Sequence, residues 1–458
     1  MRDLMRLAMD RMLDLKAEFC DVRSESTRDM RLMVVDGSVR SLEQDASEGV
    51  CLRARVGGAW GCASLVSAEK KKMLEAAETA VRSARLGNAT GVRIAEGRTE
   101  KGDHRPKLKL HPAEVPIEEK LELVLDLDRA QRVNAKIVNS NSVYLEAIKR
   151  STVMNSFGTD VSWEEVRERV MVQPVASDGG RTELFYDISD GTGGYEVVKA
   201  VDANAMGKEA AKEAIKMLKA EKCPSGKHVC ITDPQISGLL AHEVMGHASE
   251  ADEIVKKRSF LTDVVGKKVA SEQITMVDDG TVPGAHGTIQ FDDEGTRAQR
   301  TMIIEGGVYE GYMHSLETAA EMGVQPTGNG RAESTSRRVF VRMRNTFFEK
   351  GDWKLEEIIE GVKFGVLTDK AISGMEDPVG GGFEAKVLRG FLIENGEVTK
   401  MLRTFSVTGK ALEILKTTDA VGNKLELDGG TCGKGIEDFV PVSSGGPHCR
   451  SVAVLGGS

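Results

Sequence analysis

The sequence predicts an α+β protein. It has an N-terminal helix–hairpins–helix module, a central α+β region behind a connector, and a C-terminal domain built on a large, mostly antiparallel, curled sheet that carries a histidine-bearing helix. Three observations carry this. Leu4, Leu7, Ala8, Met12 and Leu15 recur near the helical period, and after residue 27 the period changes to two. Asp36-Gly37 and Gly57-Gly58 each separate two alternating runs, which is hairpin turn chemistry. After residue 252 the chain becomes short strands between glycine turns, among them TMVDDGT, HGTIQFDDEGT, VRMRNTFF and the hairpin GFLIENGEVTK.

Taken in order, a helix over 3–18 precedes one hairpin of 28–35 with 38–43 and a second of 49–56 with 59–66, and a helix over 68–86 completes a module of residues 1–90. Residues 87–116 are a connector, because Gly87, Gly91, Gly97, Gly102, Pro106, Pro112 and Pro116 interrupt any period. His104 and His111 are exposed loop residues within it. The central region, 91–222, adds a helix over 117–134, strands near 136–140, 143–150, 161–175 and 181–188, and a helix over 195–220. Pro224-Ser225-Gly226 opens a final domain, 223–458, with the strand KHVCITD. Asp233 then caps a helix whose first position is Pro234. Shorter helices fall near 315–322, 354–361 and 409–416.

Charge and composition exclude several functions. Lys+Arg number 62 against 71 Asp+Glu, a net charge of −9, which argues against a general nucleic-acid surface. No apolar run approaches a membrane span. The N-terminus is punctuated by Asp3, Asp10, Asp14 and Glu18, unlike a signal or transit peptide, so a cytoplasmic protein is expected. The cysteines are odd in number, scattered and without CxxC spacing, which fits reduced thiols. Nucleotide chemistry is unsupported, since neither a strand followed by GxGxxG nor a phosphate loop with its lysine occurs.

The chemistry concentrates in SGLLAHEVMGHASEAD, residues 237–252, which sets His242 beside Glu243 and returns to His247. Neutral imidazoles suit zinc, and an adjacent carboxylate suits proton transfer from water. The imidazoles are five residues apart, not the four of the familiar zinc-peptidase helix, so an ideal α-helix would rotate the second by roughly 140° from the first. Either a π-type turn near Gly246 or a helix ending there, with His247 reaching back, would bring the rings together. The bland reading is an amphipathic helix with Leu239, Leu240 and Met245 in the core and two satisfied histidines.

A catalytic zinc needs a third protein ligand. Asp252, Glu250, His286, Asp292, Asp293, Glu294, His314, Cys432, His448 and Cys449 are the candidates. Cys432 stands apart because the glycines of DGGTCGKG let its backbone approach another element closely, and a thiolate binds zinc strongly. Its bland reading is a small apolar residue in a turn, and Cys449 reads as core. The acidic run 292–294 reads as a solvated turn or as a support that orients a ligand.

Several blocks in order carry a family likeness: HEVMGHASEAD, MVDDGT, GTIQFDDEGT, IIEGGVYEGYM, QPTGNGRAES, VRMRNTFF, FLIENGEVT, GGTCGKG and PVSSGGP. From about Val229 to the end the chain resembles the TldD side of the TldD/PmbA family, also called modulators of DNA gyrase; the N-terminal half is similar more weakly. The resemblance implies a zinc-dependent peptidase acting on unfolded or extended peptides in an enclosed cavity, paired with a PmbA/TldE-like subunit or as a homodimer. It implies that His242, His247 and Cys432 bind Zn2+ and that Glu243 is the general base. Gly435-Ile436-Glu437-Asp438-Phe439 and HASEAD depart from the family's pattern, which touches peptide contacts near the cysteine and the wall beside the metal.

Asn329 and Arg331 of TGNGRAES are candidate substrate contacts, with a glycine turn and a solvated arginine as the alternative. Two other functions compete: a non-catalytic subunit that binds peptide or partner and keeps a structural metal, and a cysteine peptidase using Cys432. Chelator-sensitive cleavage would separate the first from the hydrolase, and metal-independent inhibition by alkylation would mark the second.

Overall fold

The computed structural model describes residues 1–88, 94–377, 379–434 and 438–457. Gly91 of the connector and Gly435-Ile436-Glu437 lie outside them. Helix α1 (Arg2–Asp14) buries Met5, Ala8, Met9 and Met12 on one face. It ends earlier than residue 18 because Lys16 turns left-handed at φ 69° and the Ala17 N–H bonds back to Met12 O. Strand β1 (Phe19–Val35) therefore starts well before residue 28.

The two predicted hairpins are one meander. β2 (Ser38–Val56) runs unbroken through the polar stretch that reads as a gap, and β3 (Ala59–Leu65) follows it. Continuity comes from the partner: Arg31, Asp29 and Thr27 of β1 stand opposite Glu43, Asp45 and Ser47 and satisfy that backbone whatever its side chains are. Helix α2 (Lys70–Leu86) then packs close to β3 at Gly61, where a Cβ would lie 2.1 Å from the Ala80 carbonyl oxygen.

β1 pairs along almost its whole length with Asn141–Asn155, so the first module and the central region share one sheet. Its order is Asp187–Thr192, Asp160–Val172, Asn141–Asn155, β1, β2, β3. Within the connector, β4 (Lys101–His104) adds to it parallel to Asp160–Val172. Helix α3 (Ile117–Gln131) and Ala203–Met217 cover one face. The helix expected over 195–220 is broken: Glu196–Lys199 ends, and the Asp202 side chain caps a new start by accepting from Ala205 N at 2.9 Å.

In the C-terminal half, strands Gly226–Thr232, Phe364–Asp377, Gly382–Glu394, Phe405–Lys410 and Cys449–Gly457 pair in sequence. The last also pairs with the first, so the sheet closes into a barrel. Beside it lies an open sheet ordered Val308–Tyr309, Arg300–Glu305, Met276–Asp279, Asn345–Phe348, Asp438–Gly446, Glu426–Lys434. Leu240, Val244 and Met245 fill the core between Val366 and Phe383 of the barrel and Phe348 and Val442 of the open sheet, so the histidine-bearing helix is the plug between the two. The expected short helices are Leu316–Met322, Leu355–Glu360 and Ala411–Lys416.

Candidate metal centre

Asp233 caps the helix as its sequence predicts, accepting from Gln235 N at 3.2 Å. The same carboxylate accepts from the Thr368 hydroxyl at 2.5 Å and from Lys370 N at 3.2 Å, so the cap also bolts the helix start to the barrel strand Phe364–Asp377. An α-helical stretch, Pro234–Leu239, passes into a π-helical one, Leu240–Gly246, with His247 immediately after. A π-type turn spans five residues, the separation of the two histidines. Their ring centroids are 5.2 Å apart, with planes at 82°.

Gly246 matters for room. A Cβ there would sit 2.1 Å from the Met343 sulfur and 3.1 Å from the Ala241 carbonyl oxygen, so glycine lets the widened turn lie against Met343 without displacing it.

Cys432 arrives on Glu426–Lys434, the edge strand paired to Asp438–Gly446, with Cys432 opposite Val440. Its carbonyl accepts from Arg342 Nη2 at 2.8 Å, and its Sγ lies 3.2 Å from His247 Nε2. One donor atom from each of His242, His247 and Cys432 falls within 4.8 Å of the others, and all three residues are buried.

The opposite nitrogen of His247, Nδ1, faces Glu250 Oε2 at 3.4 Å. Glu250 is held in turn by Lys434 Nζ at 2.9 Å and Arg342 Nε at 3.5 Å, and Lys434 also bonds Asp252 at 2.6 Å. A carboxylate on the far nitrogen is the arrangement that orients a metal-binding imidazole. Glu243 is half-buried, its Oε2 4.0 Å from His247 Nε2.

The charges respond to one another. Burial pushes the Cys432 thiol up, but His242 and His247 outweigh it and hold it at about 5, so the sulfur is a thiolate at neutral pH. Burial lowers both imidazoles, yet the thiolate raises His242, and thiolate and Glu250 together raise His247 well above its ordinary value. Burial works against ionising Glu250 too, and Lys434 and His247 carry its carboxyl far below the usual range. The site thus gathers positive charge about an anionic sulfur, and His242 Nδ1 is buried with no hydrogen-bond partner. Two imidazoles and a thiolate converging at this range fit a zinc-type cation by donor chemistry.

A cleft of about 220 Å³ opens beside His242 and Glu243, lined among others by Tyr186, Gln235, Leu239, Asp428 and Thr431. Glu376, which nothing local in the sequence marks, comes within 4.8 Å of both Glu243 and His247. Lys434, Arg342 and Met343 are likewise invisible as site residues in the sequence, because each arrives by long-range pairing.

The remaining candidates lie elsewhere. Asp293 pairs with Lys149 at 3.3 Å and Arg23 at 3.6 Å, and Glu294 with Arg53 at 3.1 Å, which ties the N-terminal sheet to the C-terminal half; these acids are buried, where the sequence offered a solvated turn. His314 Nδ1 is 3.3 Å from Thr318 Oγ1, His286 lies against Arg167, and Cys449 is in the core. Asn329 is fully buried, donating to Asp278 Oδ2 and to Arg342 O at 2.8 Å each. Arg331, also buried, donates to Met343 O at 2.5 Å. The structure does not bring either into the cleft.

A barrel thus clasps a two-histidine helix with a cysteine in reach, a set of donors that could hold a metal ion. Family models described as PmbA/TldA metallopeptidase domain 1, central domain and C-terminal domain match residues 20–84, 110–218 and 225–454. The chain belongs to the PmbA/TldD metallopeptidase family.

It is similar to a metalloprotease of Methanothermobacter thermautotrophicus, 33% identical over 445 residues, which span 97% of this chain and 96% of that one. A zinc metalloprotease TldD homologue of Saccharolobus solfataricus is 30% identical over 277 residues, 60% of this chain and 61% of that one. Among solved structures, TldE of Thermococcus kodakarensis shares the fold with a TM-score of 0.78 at 21% identity, covering 99% of each chain. A protein of Thermotoga maritima does so with a TM-score of 0.81 at 19% identity, over 99% of this chain and 100% of that one.

Proposed function

We propose that this chain is a zinc-dependent peptidase that hydrolyses unfolded or extended peptides, with His242, His247 and Cys432 as metal ligands and Glu243 as general base. The observation that carries the reading is the convergence of three donors, one already a thiolate, with a half-buried carboxylate beside them at the mouth of a cleft. The names of the relatives support the metallopeptidase class, and one supports zinc.

Zinc, when bound there, supplies a Lewis acid that polarises a carbonyl and eases removal of a proton from water. The chain's own residues do the rest. Glu250 holds the proton of His247 Nδ1, which leaves Nε2 free as a donor. A Glu243 carboxylate oxygen accepts the proton of the attacking water and returns it to the leaving amine nitrogen. Burial of the trio keeps bulk water away. The TldE neighbour supports assembly with a TldE/PmbA-like subunit, with a homodimer as the other arrangement. Reduced thiols support a cytoplasmic setting, since all of the cysteines are free.

The test is metal content and peptide cleavage of the wild type and Glu243→Gln, with and without any copurifying subunit. Glu243→Gln should keep the metal and lose cleavage. Full peptidase activity in that variant refutes the base, and chelator-insensitive cleavage refutes the metal.

A further inference from the structure

The open-sheet strand Glu426–Lys434 brings more to the cleft than the Cys432 sulfur. Side chains alternate along a strand, so Asp428, Gly430 and Cys432 share one face, and Ser444, Val442 and Val440 of the neighbouring strand stand beside them in that order. The histidine-bearing helix runs along this face. Gln235 Nε2, at its start, donates to Asp428 Oδ1 at 3.0 Å, and His247, at its end, meets the sulfur. Four residues of extended strand, or roughly 13 Å, separate Asp428 from Cys432. Between them Gly430 has no side chain, and a Cβ there would meet nothing within 4 Å. The result is a slot with the metal trio at one end, Asp428 at the other, and Leu239 and Val442 along the way.

Asp428 ends this slot as an acid short of positive charge. The Ala371 N–H donates to Gln235 Oε1 at 2.9 Å, as does the Tyr186 hydroxyl at 2.9 Å, so the Gln235 amide is turned with its NH2 toward Asp428. That bond holds one carboxylate oxygen, and Oδ2 accepts none among the described residues. Lys370, the cation that acts on Asp428, is bonded to Asp187 at 3.0 Å, and the neighbouring Asp190 is bonded to Arg169. No lysine or arginine lines the cleft, whose carboxylates are Glu243 and Asp428. Burial first, then Asp190 and Glu426, push the Asp428 carboxyl up against the pull of Gln235 and Lys370. An oriented carboxylate with a free oxygen at the end of an apolar passage suits a cation on a long aliphatic stem, which describes lysine and arginine. From a backbone carbonyl at the trio, such a stem runs over Gly430 toward the acid.

Resting on the hydrolase reading above, we propose that Asp428 binds the ammonium or guanidinium of a basic side chain of the substrate, so that the chain cleaves peptides next to lysine or arginine. Gly430, Val442 and Leu239 receive the stem. Asp428 is a specificity-determining residue that takes no proton in the step.

The experiment uses the zinc-loaded full chain, with any copurifying subunit, and unstructured peptides of one sequence that carry lysine, norleucine or glutamate at a single internal position. Norleucine keeps the stem and lacks the ammonium. Mass spectrometry of the products should show the bond beside lysine cut at least about 10-fold faster than the bond beside norleucine, and the glutamate peptide cut more slowly still. Asp428→Asn keeps an oxygen that can accept from Gln235 and loses the charge. It should raise KM for the lysine peptide by about 10-fold or more, bring the lysine and norleucine peptides within about 3-fold of each other, and keep zinc content and Tm. Gly430→Leu, which fills the slot and leaves the acid in place, should lose the same preference. Independently of turnover, calorimetry should show N-acetyl-L-lysine amide binding the wild type at least about 10-fold more tightly than N-acetyl-L-norleucine amide, with no such difference in Asp428→Asn.

Equal cleavage of the lysine and norleucine peptides by the wild type overturns the proposal. So does a preference that survives in Asp428→Asn or in Gly430→Leu, or an equal fall on both peptides, which would make the acid a structural support. If the loaded wild type cuts none of the peptides, the hydrolase reading fails. N-acetyl-L-lysine amide binding that depends on Asp428 then upholds the side-chain site alone, and binding indifferent to it overturns that as well.

Discussion

The Glu250 carboxylate lies 3.4 Å from His247 Nδ1 while the Cys432 sulfur lies 3.2 Å from Nε2 of the same ring. One imidazole is thus held by an acid at one nitrogen and offers the other to the cluster. Glu250→Gln should weaken metal affinity by about 10–100-fold, the usual cost of losing such a support, as measured by competition with a chromophoric chelator. Because the metal-free His247 holds its proton well above the ordinary range, wild-type affinity should rise with pH through neutrality, where ligand deprotonation stops opposing the metal.

Gly246→Ala should separate packing from ligation. The new Cβ would meet the Met343 sulfur at 2.1 Å inside a fully buried contact, so overpacking should cost about 1–3 kcal/mol and lower Tm by several degrees. The displaced π-turn should also loosen metal binding. Adding Met343→Ala should recover part of both losses, a non-additivity that a thermal-melt double-mutant cycle would measure.

Metal removal should expose a reactive thiol. With the metal gone, Cys432 is held at about 5 by the two histidines, whereas burial pushes Cys20, Cys223 and Cys449 up to about 12. Iodoacetamide at pH 7 should therefore modify Cys432 ahead of those three in the chelated chain and spare it in the zinc-loaded one, as peptide mapping would show. Modification of Cys432 at the same rate with and without zinc would contradict its role as a ligand.

Away from the site, Glu168 gives a pH signature in stability. It is fully buried beside Tyr144, Glu146 and Lys120, and burial first, then the Glu146 charge, pushes its carboxyl up to about 8 against the pull of Tyr144 and Lys120. Below its ordinary value of 4.5 both folded and unfolded chains hold the proton. Between there and about 8 only the unfolded chain releases it, so this residue's contribution to stability falls as pH rises, and above about 8 the slope ends. Glu168→Gln should raise Tm more at pH 8 than at pH 5 relative to wild type.

Much of this protein was legible along the chain. The period of α1, the Asp36-Gly37 turn, the Asp233 cap with Pro234 and the His242-Glu243-His247 spacing are local, since each depends on residues within one or two turns of backbone. Spacing alone left a π-type turn and a helix end equally open. Contact between Gly246 and Met343, residues far apart in sequence, accommodates the first.

What only the tertiary structure decided has a common cause: it depends on which distant segment a strand or side chain meets. β2 stays a single strand because β1 pairs with all of it, and the barrel closes because its last strand returns to its first. Cys432 and Lys434 reach the helix on a strand of the open sheet and Glu376 on a strand of the barrel, so long-range pairing brings together groups that the sequence separates by a hundred residues or more. The sequence by itself determined the two imidazoles, the neighbouring carboxylate and the chemistry they suit. Folding carried the sulfur of Cys432, already marked in DGGTCGKG, to the imidazoles and supplied the cleft and the second acid, because no local period encodes a partner that far away.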